Sequence, residues 1–104
     1  MIKVIIGYKV KKSADIQPVL LKLRSNAITF PGFIGAENLQ NEKDGSIIAV
    51  VQTWDRTEDW TAWELSKISQ SILAEAKPLL QEAPRTTVYR IVATSAWSYT
   101  PRGS

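Results

Sequence analysis

The chain has 104 residues, of which 44% are hydrophobic and 22% are charged, and these values are typical of one folded domain. Cysteine is absent, which excludes disulfide and thiol chemistry. Histidine is absent too, which excludes the commonest general base and metal ligand in proteins, and the sequence predicts no metal site. The net charge is +3, but the basic residues are scattered apart from Lys9, Lys11 and Lys12, so we expect no nucleic-acid partner.

The N-terminal run does not have the features of a secretory signal. Residues 2–10, IKVIIGYKV, contain lysines and are not followed by a small-residue cleavage site. No apolar run approaches the roughly 20 residues that a membrane-spanning helix needs. We therefore expect a cytoplasmic protein that has no membrane partner.

The first two elements predicted are a strand and an amphipathic helix. Residues 2–10 partly alternate, and one face would carry Ile2, Val4, Ile6, Tyr8 and Val10. Apolar residues then recur at helical spacing over about 14–28, and the sequence Phe-Pro-Gly at 30–32 ends the helix. Ser13 is the predicted N-cap, Asp15 lies in the predicted first turn, and Pro18 falls early enough to be tolerated.

A hairpin and a second helical region follow. Residues 33–40 and 46–54 are predicted strands, joined by a turn at 41–45 that contains an Asp-Gly step. Thr57 is the predicted cap of the next helix, on which Trp60, Trp63 and Glu64 share a face. The polar stretch 66–71 permits a break between two helices, and Pro78 would kink or end the second. Residues 85–94 form the last predicted strand.

The order β-α-β-β-α-β predicts an α+β, ferredoxin-like domain with a four-stranded antiparallel sheet and both helices on one face. This domain would span residues 1–96. Residues 97–104 form a tail, and Pro101–Ser104 is typical of a protease-site scar from an expression vector.

The strands predict that both faces of the sheet are covered. Residues 47–51 are consecutive and apolar, as are 4–6 and 91–93. In a sheet with one solvent-exposed face, the strands should instead alternate apolar and polar residues. Because the helices cover only one face, we expect a two-fold homodimer that packs sheet on sheet. The alternative is a monomer whose tail, with Trp97 and Tyr99, folds back over the second face.

The sequence resembles the antibiotic biosynthesis monooxygenase family. The likeness covers roughly residues 2–94 and depends on Pro-Gly-Phe-Ile-Gly-Ala-Glu at 31–37 and on Trp54 and Trp63 at the junction of the third strand with the helix. It implies a dimeric α+β barrel with a cavity between the sheet and helices of each subunit. Some members of the family oxygenate aromatic polyketides without metal or flavin, others degrade haem, and others isomerise small metabolites.

The resemblance does not extend to the haem-degrading branch. Trp63 matches a tryptophan of that branch, but its axial histidine would fall near Leu73 and its asparagine near Ile6 or Gly7. Because neither is present, we expect a reaction that uses no cofactor.

The candidate residues of the predicted cavity are apolar walls, hydrogen-bond donors and one base. Trp63 and Trp60 would line it, Trp54 would be core, and Gln52 and Asn38 could orient a polar substrate. Tyr8, Tyr89 or Arg90 could stabilise an enolate oxygen, and Glu64 could act as base.

Three functions are compatible with these residues. The first is a cofactor-independent monooxygenase acting on a small aromatic or carbonyl-bearing metabolite. The second is a non-catalytic binding or sensor domain, and the third is an isomerase that uses a carboxylate as base.

Overall fold

The computed structural model describes residues 1–93 and contains the elements in the predicted order, with the second helical region divided in two. The elements are β1 (Ile2–Lys9), α1 (Gln17–Ala27), β2 (Phe33–Gln40), β3 (Ile47–Trp54), α2 (Thr57–Glu64), α3 (Lys67–Ala76), a 3-10 turn (Lys77–Leu79) and β4 (Arg85–Arg90). The last strand is shorter than predicted, since residues 91–93 continue without strand structure. Residues 94–104, with Trp97 and Tyr99, lie outside the described part of the chain.

The four strands form one sheet in the order β2-β3-β1-β4, and every neighbouring pair is antiparallel. The predicted α+β architecture is confirmed. The connection from β1 to its neighbour β3 passes through α1 and β2, which places the helices on one face, here named the inner face. None of the helices in residues 1–93 is long and apolar enough to cross a membrane.

The alternation of side chains along the strands determines which residues form the core. On β1 the side chains of Ile2, Val4 and Tyr8 are buried on the inner face, and Ile48 and Trp54 of β3 are buried beside them. Buried residues of α1 and α3 complete this core from above: Val19, Leu20, Leu23, Ala27, Ile72 and Ala76. The predicted inward face of the first strand is therefore confirmed, although Val10 forms an isolated bridge with Leu80 instead of extending β1.

Two predicted helix caps are wrong. The first helix begins at Gln17 with Ile16 at the N-cap position, and Ser13 lies three residues upstream with φ of 68°. Asp15 also lies before the helix and not in its first turn, but its carboxylate accepts a hydrogen bond of 3.0 Å from the Gln17 backbone N–H. In α2 the N-cap is Arg56, so Thr57 is the first helical residue and not the cap.

The division of the second helical region is confirmed. Ser66 lies between α2 and α3 with extended backbone, and its Oγ accepts a hydrogen bond of 3.2 Å from Ser69 N–H. The same hydroxyl donates to the Trp63 carbonyl at 2.7 Å. One serine therefore begins α3 and fastens the end of α2.

The turn before β2 brings three segments together. Gly32 has φ of +87°, and its carbonyl accepts a hydrogen bond of 2.7 Å from the Asp55 N–H, just after β3. Asp59 of α2 lies against the same glycine, in the space that a Cβ would need. Arg56 holds that carboxylate with an ion pair of 3.1 Å. The start of α2 is thereby fixed over one end of the sheet.

The outer face of the sheet is apolar at its centre. Ile5 pairs with Val51, and both are half-buried, as is Ala49 beside them. Leu39 and Ile47 extend this surface and are 48% and 39% exposed. The outer face is therefore the second apolar face that the sequence predicts, and none of residues 1–93 forms a layer over it.

Candidate functional site

A cavity of about 230 Å³ lies between the inner face of the sheet and the helices. Its floor comes from all four strands and its roof from all three helices. The floor is lined by Ile6, Tyr8, Ala36, Asn38, Val50, Gln52 and Thr86, and the remaining wall by Leu20, Leu23, Arg24, Trp60, Trp63, Glu64, Ser69, Leu73 and Pro84. The lining is mostly apolar with a few polar groups, the composition typical of small-molecule sites.

The three tryptophans near the junction of β3 and α2 have different places. Trp54 is fully buried outside the cavity, with its ring edge-on to Phe33 at 5.2 Å between centroids. Trp63 is 4% exposed, meets Phe30 edge-on at 5.1 Å and also lines the cavity. Trp60, one turn earlier, is half-buried and lines the cavity too. Trp54 is therefore a core residue, whereas the other two form a wall.

The two polar residues that are buried in the described part of the chain, Gln52 and Ser69, both line this cavity. Gln52 enters the inner face from β3, beside Ala36 on β2. Its Oε1 accepts a hydrogen bond of 3.0 Å from Trp54 Nε1. Burial of polar groups is unfavourable unless they find partners, so their position beside a cavity points to a ligand or water there.

Tyr8 adds a phenolic hydroxyl to the floor. Its side chain is 3% exposed, and desolvation by burial raises its pKa to about 12. The hydroxyl therefore stays protonated at neutral pH and is available as a hydrogen-bond donor.

One carboxylate and one cation line the cavity. Glu64, at the end of α2, is half-buried, and its backbone carbonyl accepts a hydrogen bond of 2.7 Å from Gln70 Nε2. Arg24 lies on α1 with an exposed side chain. The cavity thus holds a candidate base and a candidate stabiliser of an oxyanion.

The structure brings six of the eight candidate residues to one cavity: Tyr8, Asn38, Gln52, Trp60, Trp63 and Glu64. Tyr89 does not line it. Arg90 is not among the lining residues. It pairs with Ile2 at the end of the edge strand β4 and is exposed. Asn38 lines the cavity and is exposed.

The lining residues absent from the sequence predictions include three with polar side chains, Arg24, Ser69 and Thr86. Arg24 directly follows Leu23 and lies four positions after Leu20, so the helical period already placed it beside the core stripe. Ser69 sits within a polar run that indicates a helix break, and its burial depends on the packing of α3. Within residues 1–93 no three acidic side chains lie close enough together to hold a metal ion.

No family model and no curated protein matches this sequence. Several solved structures, however, are similar to the fold of this chain. A provisionally named antibiotic biosynthesis monooxygenase from Nitrosomonas europaea has a TM-score of 0.78 at 15% identity, covering 89% of this chain and 100% of the other. A protein with the same provisional name from Caulobacter crescentus has a TM-score of 0.80 at 18% identity, covering 88% and 90%.

A third similar structure is SnoaB, a cofactor-independent oxygenase from Streptomyces nogalater. Its TM-score is 0.81 at 9% identity, and the match covers 91% of this chain and 96% of the other. At such low identities the likeness establishes the fold. The chain therefore has the α+β fold of the antibiotic biosynthesis monooxygenases, as the resemblance in its sequence predicted.

Proposed function

We propose that this protein is a member of the antibiotic biosynthesis monooxygenase family that oxidises a small aromatic or carbonyl-bearing metabolite in its cavity without a cofactor. The observation that carries the proposal is the apolar cavity between Trp63 and the sheet, with Glu64 at its wall and protonated Tyr8 at its floor. SnoaB, whose fold is similar, is a cofactor-independent oxygenase, and this supports the class of reaction.

The reaction would convert a CH₂ group beside an enol or phenol system into a carbonyl. A base removes one proton from the substrate, and the resulting enolate transfers an electron to O₂. The radical pair joins to form a carbon–oxygen bond, and the peroxide takes up a proton. Loss of the second C–H proton then breaks the O–O bond and releases water. The balance is CH₂ + O₂ → C=O + H₂O, and all four electrons come from the substrate.

The residues can be assigned to these steps. Glu64 is the carboxylate of the cavity lining and is proposed to take the first proton. Tyr8 and Arg24 are proposed to stabilise the enolate oxygen, the former by donation and the latter by charge. Trp60 and Trp63 provide the apolar wall against which a flat ring packs.

The test is oxygen uptake with 1-naphthol and with anthrone, measured with a chelator present and no added cofactor. Wild-type protein should consume one O₂ for each 1,4-naphthoquinone or anthraquinone formed. Glu64→Gln should slow turnover by about 100-fold or more, since general bases contribute on this scale. The charge-matched control is Glu75→Gln, an exposed glutamate that forms an ion pair with Lys22 away from the cavity.

Two other functions would give different results. Binding of 1-naphthol with tryptophan quenching but without oxygen uptake would identify a binding or sensor domain. Exchange of a substrate proton with deuterated water, without oxygen uptake when O₂ is supplied, would identify an isomerase, for which Glu64 is again the candidate base. Either result would exclude the oxygenase.

We also propose a homodimer through the outer face. The supporting observation is the apolar centre formed by Ile5, Val51 and Ala49, together with exposed Leu39 and Ile47. Exposed contiguous apolar surface on a small protein indicates an interaction site. Two copies related by a two-fold axis would bury this patch on both sides.

A further inference from the structure

The oxygen and the nitrogen of the Gln52 side-chain amide differ in their hydrogen bonding. Its Oε1 is occupied by the hydrogen bond from Trp54 Nε1 at 3.0 Å. Its Nε2 makes no hydrogen bond to residues 1–93, although the side chain is only 6% exposed. No polar side-chain atom in this part of the chain is both completely enclosed and unpartnered, so the Nε2 group must reach open space. The space that Gln52 lines is the cavity.

Trp54 determines which end of the amide turns inward. An indole N–H can only donate, so it requires the oxygen of Gln52 and not the nitrogen. Trp54 is fully buried and edge-on to Phe33, and its ring has no room to turn away. The amide therefore presents its N–H donors to the cavity, while its oxygen is turned towards Trp54.

We propose that Gln52 is a specificity-determining residue that donates a hydrogen bond to an oxygen of the ligand, and that Trp54 is the positioning residue for it. The inference rests on the proposed function, because it assumes that the cavity binds a small molecule. It adds the class of ligand: one whose buried part carries a carbonyl, phenolate or enolate oxygen.

The hydroxyl groups of the lining do not make this selection. The hydroxyls of Ser69 and Tyr8 can each donate or accept, so they tolerate either kind of polar partner. At Gln52 the N–H donors are the groups without a partner in residues 1–93, and a ligand N–H placed against them would lose its hydrogen bond. Sites that are built to hydrogen-bond one group discriminate strongly against analogues that lack it.

The test uses 1-tetralone and tetralin, two bicyclic probes that differ by one carbonyl oxygen. Their affinities are measured by calorimetry, and the readout is the ratio of the tetralone affinity to the tetralin affinity for each protein. Gln52→Leu should lower this ratio by about tenfold, the size of one buried hydrogen bond. The matched control is Gln40→Leu, because Gln40 is bound to the Gly45 carbonyl in the hairpin and does not line the cavity.

Trp54→Phe tests the positioning role. It keeps an aromatic ring beside Phe33 but removes the N–H that holds Gln52 Oε1, so the amide can turn over. We expect the ratio to fall by about three- to fivefold with little change in tetralin affinity. A merely structural role would weaken both probes equally.

A second measurement does not depend on a variant. In wild-type protein labelled with ¹⁵N-glutamine, the side-chain NH₂ signal of Gln52 should shift when tetralone is added and stay in place with tetralin. An unchanged ratio in Gln52→Leu, or equal shifts with both probes, would overturn the inference alone. If the ratio falls in Gln52→Leu but not in Trp54→Phe, the role of Trp54 is overturned. Failure of the wild-type protein to bind either probe would overturn the proposed function as well.

Discussion

Gly32 and Asp59 are in contact across the gap between the β2 turn and helix α2, with the Asp59 carboxylate in the space that a Cβ on Gly32 would occupy. The φ of Gly32 is +87°, a conformation that side-chain-bearing residues adopt rarely. The contact joins the chain before β2 to the helix that carries Trp60 and Trp63. Close approach and backbone conformation therefore both require glycine at this position.

Gly32→Ala should lower the free energy of unfolding by about 2 kcal/mol or more, because it adds backbone strain to an overlap with Asp59. Urea denaturation measures this change. Gly35→Ala is the matched control, since a Cβ there meets no atom within 4 Å. Equal losses in the two variants would contradict the account.

The buried Tyr8 hydroxyl predicts a fall in stability at alkaline pH. Its pKa is raised from 10.0 to about 12 by desolvation, so the unfolded chain releases this proton first. The contribution is fully present below pH 10 and is lost as the pH rises towards 12, an effect of about 2–3 kcal/mol. Denaturation at pH 9 and pH 11.5 should show a smaller drop for Tyr8→Phe than for wild type.

Tyr89→Phe is the control for this experiment, because Tyr89 is 55% exposed on the edge strand. The other titratable groups are common to all variants, so the difference between variants is the quantity to compare. The same pH dependence in Tyr8→Phe and in wild type would refute the prediction.

Ser66 should stabilise the junction between α2 and α3. Ser66→Ala removes the acceptor for Ser69 N–H and the donor to the Trp63 carbonyl, and should cost about 1 kcal/mol. Ser71→Ala, within the same helix, removes only an exposed hydrogen bond to the Ile68 carbonyl and should cost much less. Thermal unfolding of both variants measures the difference, and a loss in Ser71→Ala as large as in Ser66→Ala would argue against the capping role.

Val51→Asp should convert the proposed dimer to a monomer. The substitution places a charge at the centre of the outer face, beside Ile5, where a second sheet would exclude water. Sedimentation velocity at low micromolar concentration measures the result. Ile28→Asp is the control, because Ile28 is an exposed aliphatic residue that follows α1 on the helical side. Wild-type protein that sediments as a monomer would refute the dimer.

The order of elements could be predicted from the sequence because each depends on local patterns. The hairpin turn is one example: Asn41 Oδ1 accepts from Lys43 and Asp44 N–H groups at 2.9 Å, which is the turn chemistry expected of these residues. The caps could not be predicted as well. Ser13 has the preferred side chain, but the chain at this point turns with φ of 68°, and Asp15 is better placed.

The candidate site likewise contains residues that the sequence could place and residues that it could not. Helical spacing was sufficient to place Trp60, Trp63 and Glu64 on one surface, and strand alternation turned Tyr8 and Gln52 inward. Alternation also puts Arg90 on the inner face, opposite Ile2, but it does not reveal where the helical roof ends. Ser69 is buried where α3 packs in the fold, and this depends on tertiary structure that local patterns do not reveal.

The separation of α2 from α3 makes the roof of the cavity modular. Eight consecutive residues, Thr57–Glu64, supply both aromatic walls and the acidic group, and they are fastened at one end through Asp59 and at the other through Ser66. Exchange of this one segment would change the shape of the cavity and replace its acidic residue. The packing of α1 and α3 on the sheet would stay in place. The scaffold could thus acquire a new chemistry through one short segment.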